Sequence, residues 1–222
     1  APDIRPGSPR IPQRSFALPP ALTMIFQTRR YVGPLLTSDM LDAMRAALDA
    51  GAAHWQGSFD LDRTRETIVL SAANWRWRDE EFPWPERLKE RTIHVWDGEA
   101  FVAAQRYATS LIKLVPTPWG APTFEIDGIK MLPTAQTSPY ADAQRKVALV
   151  APRGKRVLDT CGGLGYFARA CLEEGVASVQ SFEKNADVLW LRTLNPWSPD
   201  PGEANGHLTL EHADVSARIA TR

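Results

Sequence analysis

Residues 155–165 read Lys-Arg-Val-Leu-Asp-Thr-Cys-Gly-Gly-Leu-Gly, and no other stretch restricts the fold as tightly. Val157 and Leu158 form a short apolar strand, Asp159 stands at its tip, and Gly162, Gly163 and Gly165 follow in a turn. Glycine has no β-carbon, so such a turn bends sharply and lets another group come close to the backbone. Residues 179–183, Val-Gln-Ser-Phe-Glu, repeat the theme: a second strand, ending in Glu183, twenty residues past Gly163. A third apolar run, residues 208–213, leads into Asp214.

Helical patterns at about 164–174 and 185–194 separate these strands. Strands separated by helices pair in parallel, so the expected architecture is α/β, with a doubly wound, Rossmann-like parallel sheet. That sheet is expected to be incomplete, because Arg222 comes eight residues after Asp214, too soon for a fourth strand. Upstream, the pattern predicts a small α+β domain with antiparallel hairpins. A helix over 38–50 has Ser38 to cap it, Leu41, Met44 and Leu48 on one face, and Gly51 to end it. Asp97-Gly98 and Asp127-Gly128 each separate two β-rich runs, and Asp-Gly favours the positive φ angles of a type I′ hairpin turn. Ser138-Pro139 starts a helix that runs to Val150. The expected division is therefore a Pro/Arg-rich tail or linker over 1–36, an α+β domain over 37–134, and the start of a cofactor-binding domain over 135–222. Met24 is a candidate native start.

Bulk properties narrow the partners. The chain has 222 residues, 44% of them hydrophobic, and a formal net charge of zero. Long-range attraction to nucleic acid or anionic membranes is thus not a property of the whole chain. No apolar run approaches the roughly 18–20 residues of a membrane span, and no basic-then-apolar leader opens the sequence. Cys161 and Cys171 lie in the glycine turn and the following helix, a placement that disfavours a disulfide and suits a reducing, cytoplasmic setting. The four histidines form no metal-ligand pair, so no metal site is expected.

The three acids suggest specific tasks. Asp159 can face a ligand's ammonium group, Glu183 can accept from ribose hydroxyls, and Asp214 can accept from an adenine amino group. These residues resemble the S-adenosylmethionine-binding half of class I methyltransferases, whose first motif runs apolar-apolar-Asp-x-Gly-x-Gly-x-Gly. The run from Lys130 to Thr134 and the run from Leu194 to Ser198 are similar to a poorly characterised subgroup known best from archaea. The resemblance implies that Asp159, Gly163 and Gly165 hold the methionine end of S-adenosyl-L-methionine, Glu183 the ribose and Asp214 the adenine. Cys161 stands where the family has its first glycine, and Gly162 and Lys184 complete the expected contact set. The implied activity is methyl transfer to an acceptor that the sequence does not identify: a small molecule, RNA or protein. The family's acceptor-binding strand tip, often Asn/Asp-Pro-Pro-aromatic, is absent, so no catalytic residue can be named and the chain reads as a fragment.

Three rivals remain at this level. Gly163-Leu-Gly165-Tyr-Phe-Ala168 also fits the NAD-dependent dehydrogenase fingerprint, with Glu183 at the right spacing. Asp159 argues against it, because a diphosphate seeks amide hydrogens and is repelled by a carboxylate. Aminopropyltransferases of polyamine synthesis, which use the decarboxylated cofactor, share the same motif set. Finally, Trp75-Arg76-Trp77-Arg78 alternates aromatic and basic residues, as a non-catalytic nucleic-acid-binding strand would; an ordinary half-buried strand has the same pattern.

Overall fold

The computed structural model describes residues 31–219. Residues 1–30, Met24 among them, lie outside the described residues, whereas the end of the expected tail carries a short strand. β1 (Leu35–Leu36) leads into α1 (Ser38–Asp49), whose cap is Thr37 rather than Ser38: the Thr37 hydroxyl accepts from the Met40 amide at 3.3 Å. An antiparallel meander follows, β2 (His54–Gly57), β3 (Glu66–Leu70), β4 (Asn74–Trp77) and β5 (Glu80–Pro83), paired in that order. Alternation along β4 turns Trp75 and Trp77 inward against the apolar face of α1 and leaves Arg76 outside. Trp75 is fully buried between the rings of Phe59 and Phe82, at centroid distances of 5.3 and 4.8 Å. Those indoles are core, closed to stacking with a nucleic-acid base, and Arg78 is paired to Glu66 at 3.0 Å.

β6 (His94–Trp96) and β7 (Phe101–Ala103) form a hairpin, with β1 on the other edge of β6. Its connection is four residues, 97–100, not a two-residue type I′ turn. The Asp97 carboxylate accepts from the amides of Glu99 and Ala100 at 2.9 and 2.8 Å, which stabilises the longer loop. Next come β8 (Gln105–Tyr107), β9 (Leu111–Val115), β10 (Thr123–Ile126) and β11 (Ile129–Lys130), an antiparallel sheet in sequence order. Here Asp127 (φ +49) and Gly128 (φ +82) make the expected two-residue turn, both in the left-handed region.

α2 (Pro139–Val150) is capped by the Ser138 hydroxyl, which accepts from the Ala141 amide at 2.9 Å. Then β12 (Arg156–Asp159), α3 (Tyr166–Glu173), β13 (Ser178–Glu183), α4 (Ala186–Leu194), β14 (Leu208–His212) and α5 (Val215–Ile219) alternate. β12 pairs with β13 and β13 with β14, both parallel, bringing Asp159 opposite Ser181 and Glu183 opposite His212.

The expected doubly wound, Rossmann-like sheet is not found. Among the described residues the parallel sheet has three strands in the order β12-β13-β14, within a fold otherwise built of antiparallel sheets. Double winding requires the strand order to reverse, so that helices cover both faces. Here each crossover advances in the same direction, and right-handed connections then put α3 and α4 on one face. Leu158, which points away from Asp159 and the helices, is 48% exposed. Strand–helix alternation in the sequence dictates parallel pairing but carries no information about strand order, and that is where the expectation failed.

One core joins Ile112, Leu114 and Phe124 of the β8–β11 sheet to Leu164, Tyr166, Val179 and Leu191 around the parallel strands. A polar tie crosses it: the buried Tyr166 hydroxyl donates to the Pro122 carbonyl at 2.7 Å and accepts from Asn195 Nδ2 at 3.0 Å. Asn195, wholly buried at the end of α4, also donates to Ser198 Oγ at 3.0 Å and accepts from the Trp197 amide at 3.1 Å. No helix among the described residues is long and apolar enough to cross a membrane. Asn195→Ala would leave the Trp197 amide without its acceptor and take one bond from each of the Tyr166 and Ser198 hydroxyls, which keep those they donate to Pro122 and Leu164, at a cost of about 2 kcal/mol. The expected readout is a lower urea midpoint with an unchanged slope; an unmoved midpoint would show that the tie carries no stability.

Candidate strand-tip site

The ends of β12 and β13 are held together by backbone and carboxylate contacts. The Gly162 amide donates to the Phe182 carbonyl at 2.7 Å, which pins the glycine turn onto β13. Glu183 then spans two turns: Oε2 accepts from the Gly163 amide at 2.9 Å and Oε1 from the Asn185 amide at 2.8 Å. Each oxygen keeps a further lone pair, because an ionised carboxylate has roughly four acceptor positions. Asn185 in turn caps α4, accepting from the Asp187 amide at 2.8 Å.

Asp159 is buried at the tip of β12 and accepts from the Ser181 hydroxyl at 2.8 Å. Burial raises its pKa above the ordinary carboxylate value; the Ser181 bond, the Arg192 charge and the Cys161 amide oppose that rise, and the Glu183 charge adds to it. The site therefore holds two carboxylates side by side, one of them costly to ionise.

The glycines divide into two kinds. Gly163 (φ +50) faces open space, where a β-carbon would meet only the Cys161 carbonyl at 3.9 Å. Gly165 (φ +82) begins α3, and a β-carbon there would come within 2.5 Å of Arg192 Nη2 and 2.9 Å of Pro199 Cδ. At Gly162 a β-carbon would lie 2.6 Å from Ser181 Oγ and 3.1 Å from Arg192 Nη1. Gly162 and Gly165 are thus required by the protein's own packing, whereas Gly163 alone keeps a face on which an outside group could rest.

Arg192 was missed in the sequence. It lies in α4, 4% exposed, with its guanidinium against the back of the glycine turn, and Nε, Nη1 and Nη2 all lack hydrogen-bond partners among the described residues. Burial lowers its pKa to about 10, against the pull of the Asp159 and Glu183 charges, so it remains a cation at neutral pH. A signal was present: Arg192 stands three and four residues after Leu189 and Val188, on the buried stripe of the helix.

Of the other predicted residues, Cys161 belongs to this arrangement through its amide, which bonds Asp159, whereas Asp214 lies apart from it. Asp214 is exposed beyond β14 and accepts from the Ser216 amide at 2.9 Å, the start of α5; no described contact links it to Asp159 or Glu183. Lys184 is exposed, and its carbonyl lies 3.1 Å from His212 Nε2. Cys161 is an exposed free thiol beside the turn, and Cys171 is a buried one. No cluster of three or more potential metal ligands occurs among the described residues. A cleft of about 200 Å³ lined by Arg63, Arg169, Asp200 and Glu203, among others, involves none of the predicted site residues.

No family model matches the chain. It is similar to an uncharacterised protein of Methanocaldococcus jannaschii, 33% identical over 183 residues, which covers 81% of this chain and 60% of the length of that relative. Among solved structures it has a slight likeness to a provisionally assigned RNA methyltransferase from Pyrococcus horikoshii. The identity is 22% and the TM-score 0.29, over 39% of this chain and 43% of that one, too little to bear on fold or activity.

Asp159 gives a pH-dependent test. A carboxylate with a raised folded-state pKa favours folding while protonated, and the stability it contributes is lost as pH rises from the unfolded value through the folded one. Asp159→Asn should therefore match the wild type near pH 3 and be the more stable protein at pH 7. Thermal melts across that range would show the gap opening; an equal gap at both ends would mean that ionisation of Asp159 is not what costs stability.

Proposed function

We propose that the ends of β12 and β13 bind S-adenosyl-L-methionine and that the protein to which this chain belongs transfers its methyl group to an acceptor. The carrying observation is the placement of Glu183, whose two oxygens organise the glycine turn and the start of α4 while keeping acceptor capacity free at a strand end. A ribose laid against the open face of Gly163 would find that carboxylate beside it. Asp159, one strand over, supplies a second negative charge for the cationic end of the ligand, and the Ser181 bond fixes its orientation. Two acids at adjacent strand ends suit a ligand bearing positive charge and ill suit the diphosphate of a nicotinamide cofactor.

When bound, the sulfonium would supply an electrophilic methyl group. The residues of this chain then have three tasks: Glu183 holds the ribose, Asp159 holds the ammonium, and Gly163 presents bare backbone. Transfer between a sulfonium and a nucleophile depends chiefly on in-line placement, so positioning rather than acid–base chemistry is the contribution expected of this site. The division of the chain at about 134, with the upstream part shaping acceptor choice, belongs to the same proposal, as does a role for Asp214 toward adenine.

Glu183→Ala should remove one or two charge-assisted hydrogen bonds, each worth on the order of 1.5–3 kcal/mol. One such bond corresponds to roughly ten- to a hundred-fold in cofactor affinity. Calorimetric titration with adenosylmethionine tests this; unchanged affinity in a folded variant would place the ribose elsewhere.

A further inference from the structure

An unpaired guanidinium in a protein interior is expensive, several kcal/mol even after relaxation. Arg192 is such a group, and the surrounding sequence is built around it: Gly162 and Gly165 lack the β-carbons that would strike its nitrogens. Its guanidinium makes no hydrogen bond among the described residues, so its influence on the site is that of a charge, exerted on Asp159 and Glu183 from behind the turn. The open face of the turn is at Gly163, on which Arg192 does not intrude. A ligand resting there would feel Arg192 without touching it.

We propose that Arg192 is a specificity-determining residue: it reduces the charge of the strand-tip site from two net negatives to one and so discriminates against ligands carrying a second positive charge. This rests on the cofactor reading above and adds a choice between two related donors. Adenosylmethionine carries a sulfonium, an ammonium and a carboxylate, one net positive charge at neutral pH. Its decarboxylated form, the aminopropyl donor, carries two. With Arg192 present, the singly charged ligand neutralises the site, and the doubly charged one leaves a charge uncompensated in partly desolvated surroundings. Removing the guanidinium charge would favour the dication by one additional unit of Coulomb interaction. At an effective dielectric of about 20 and a separation of roughly 10 Å, that unit is worth roughly tenfold in relative affinity.

The test is the ratio of affinities for the two donors, measured by calorimetry at one salt concentration. Arg192→Met should shift the ratio roughly tenfold toward the decarboxylated donor, and Arg192→Lys, which keeps the charge, should restore the wild-type ratio. A role confined to packing would change both affinities together and leave their ratio alone. Arg192→Gln also removes the charge while keeping a polar side chain at the buried position. It should shift the ratio toward the decarboxylated donor by a similar factor, and this holds the inference to account even if Arg192→Met does not fold. If wild type binds adenosylmethionine but neither neutralising change moves the ratio, Arg192 has no part in ligand choice and the inference is overturned. If wild type binds neither donor, the cofactor reading itself is overturned, and this inference with it.

Discussion

The carboxylate of Glu183 is shared between two backbone turns, and the geometry of the strand ends follows from it. By accepting from Gly163 on one side and Asn185 on the other, it couples the glycine turn after β12 to the cap of α4 after β13. Hydrogen bonds to a charged acceptor are about twice as strong as neutral ones, which stiffens this joint. Gly162, bonded to the Phe182 carbonyl one residue before Glu183, reinforces it.

Behind that joint lies a charge arrangement that works against stability. Asp159 is pushed toward its neutral form by burial, and Arg192 is buried with no hydrogen-bond partner among the described residues for any of its three nitrogens. Each would destabilise the fold more without the other, because their opposite charges offset part of the desolvation cost. Costly buried charges are thus collected at one end of the parallel sheet, beside a glycine turn with one open face. The surroundings are otherwise conventional: a dense aromatic core under the meander, and a second core that locks the β8–β11 sheet to α3 and α4.

Much of this was legible in the residues. The strands at 156–159, 178–183 and 208–212, their parallel pairing, the Ser138 cap and the Asp127-Gly128 turn all follow from local chemistry: apolar runs, hydroxyls before helices, residues that tolerate positive φ. What was not legible depends on distant contacts. Strand order is fixed by which faces need covering, and the sequence pattern is the same whether the sheet winds one way or two. The Asp97 loop took four residues because its side chain bonds the backbone just ahead, an alternative that the Asp-Gly pair also permits. Gly165 looked like a ligand-facing residue and instead makes room for Arg192, whose tertiary position no local pattern reports. Asp214 lies two residues past His212, the end of β14, and its side chain is engaged in starting α5.

The central claim is that the paired carboxylates at the ends of β12 and β13 form a seat for a cationic nucleoside. The most direct measurement is a crystal structure of the protein soaked with adenosylmethionine. The account predicts the ribose against Glu183, the ammonium toward Asp159, and the ligand resting on the open side of Gly163. A well-ordered ligand bound away from those strand ends, with the Glu183 and Asp159 contacts unchanged, would contradict it.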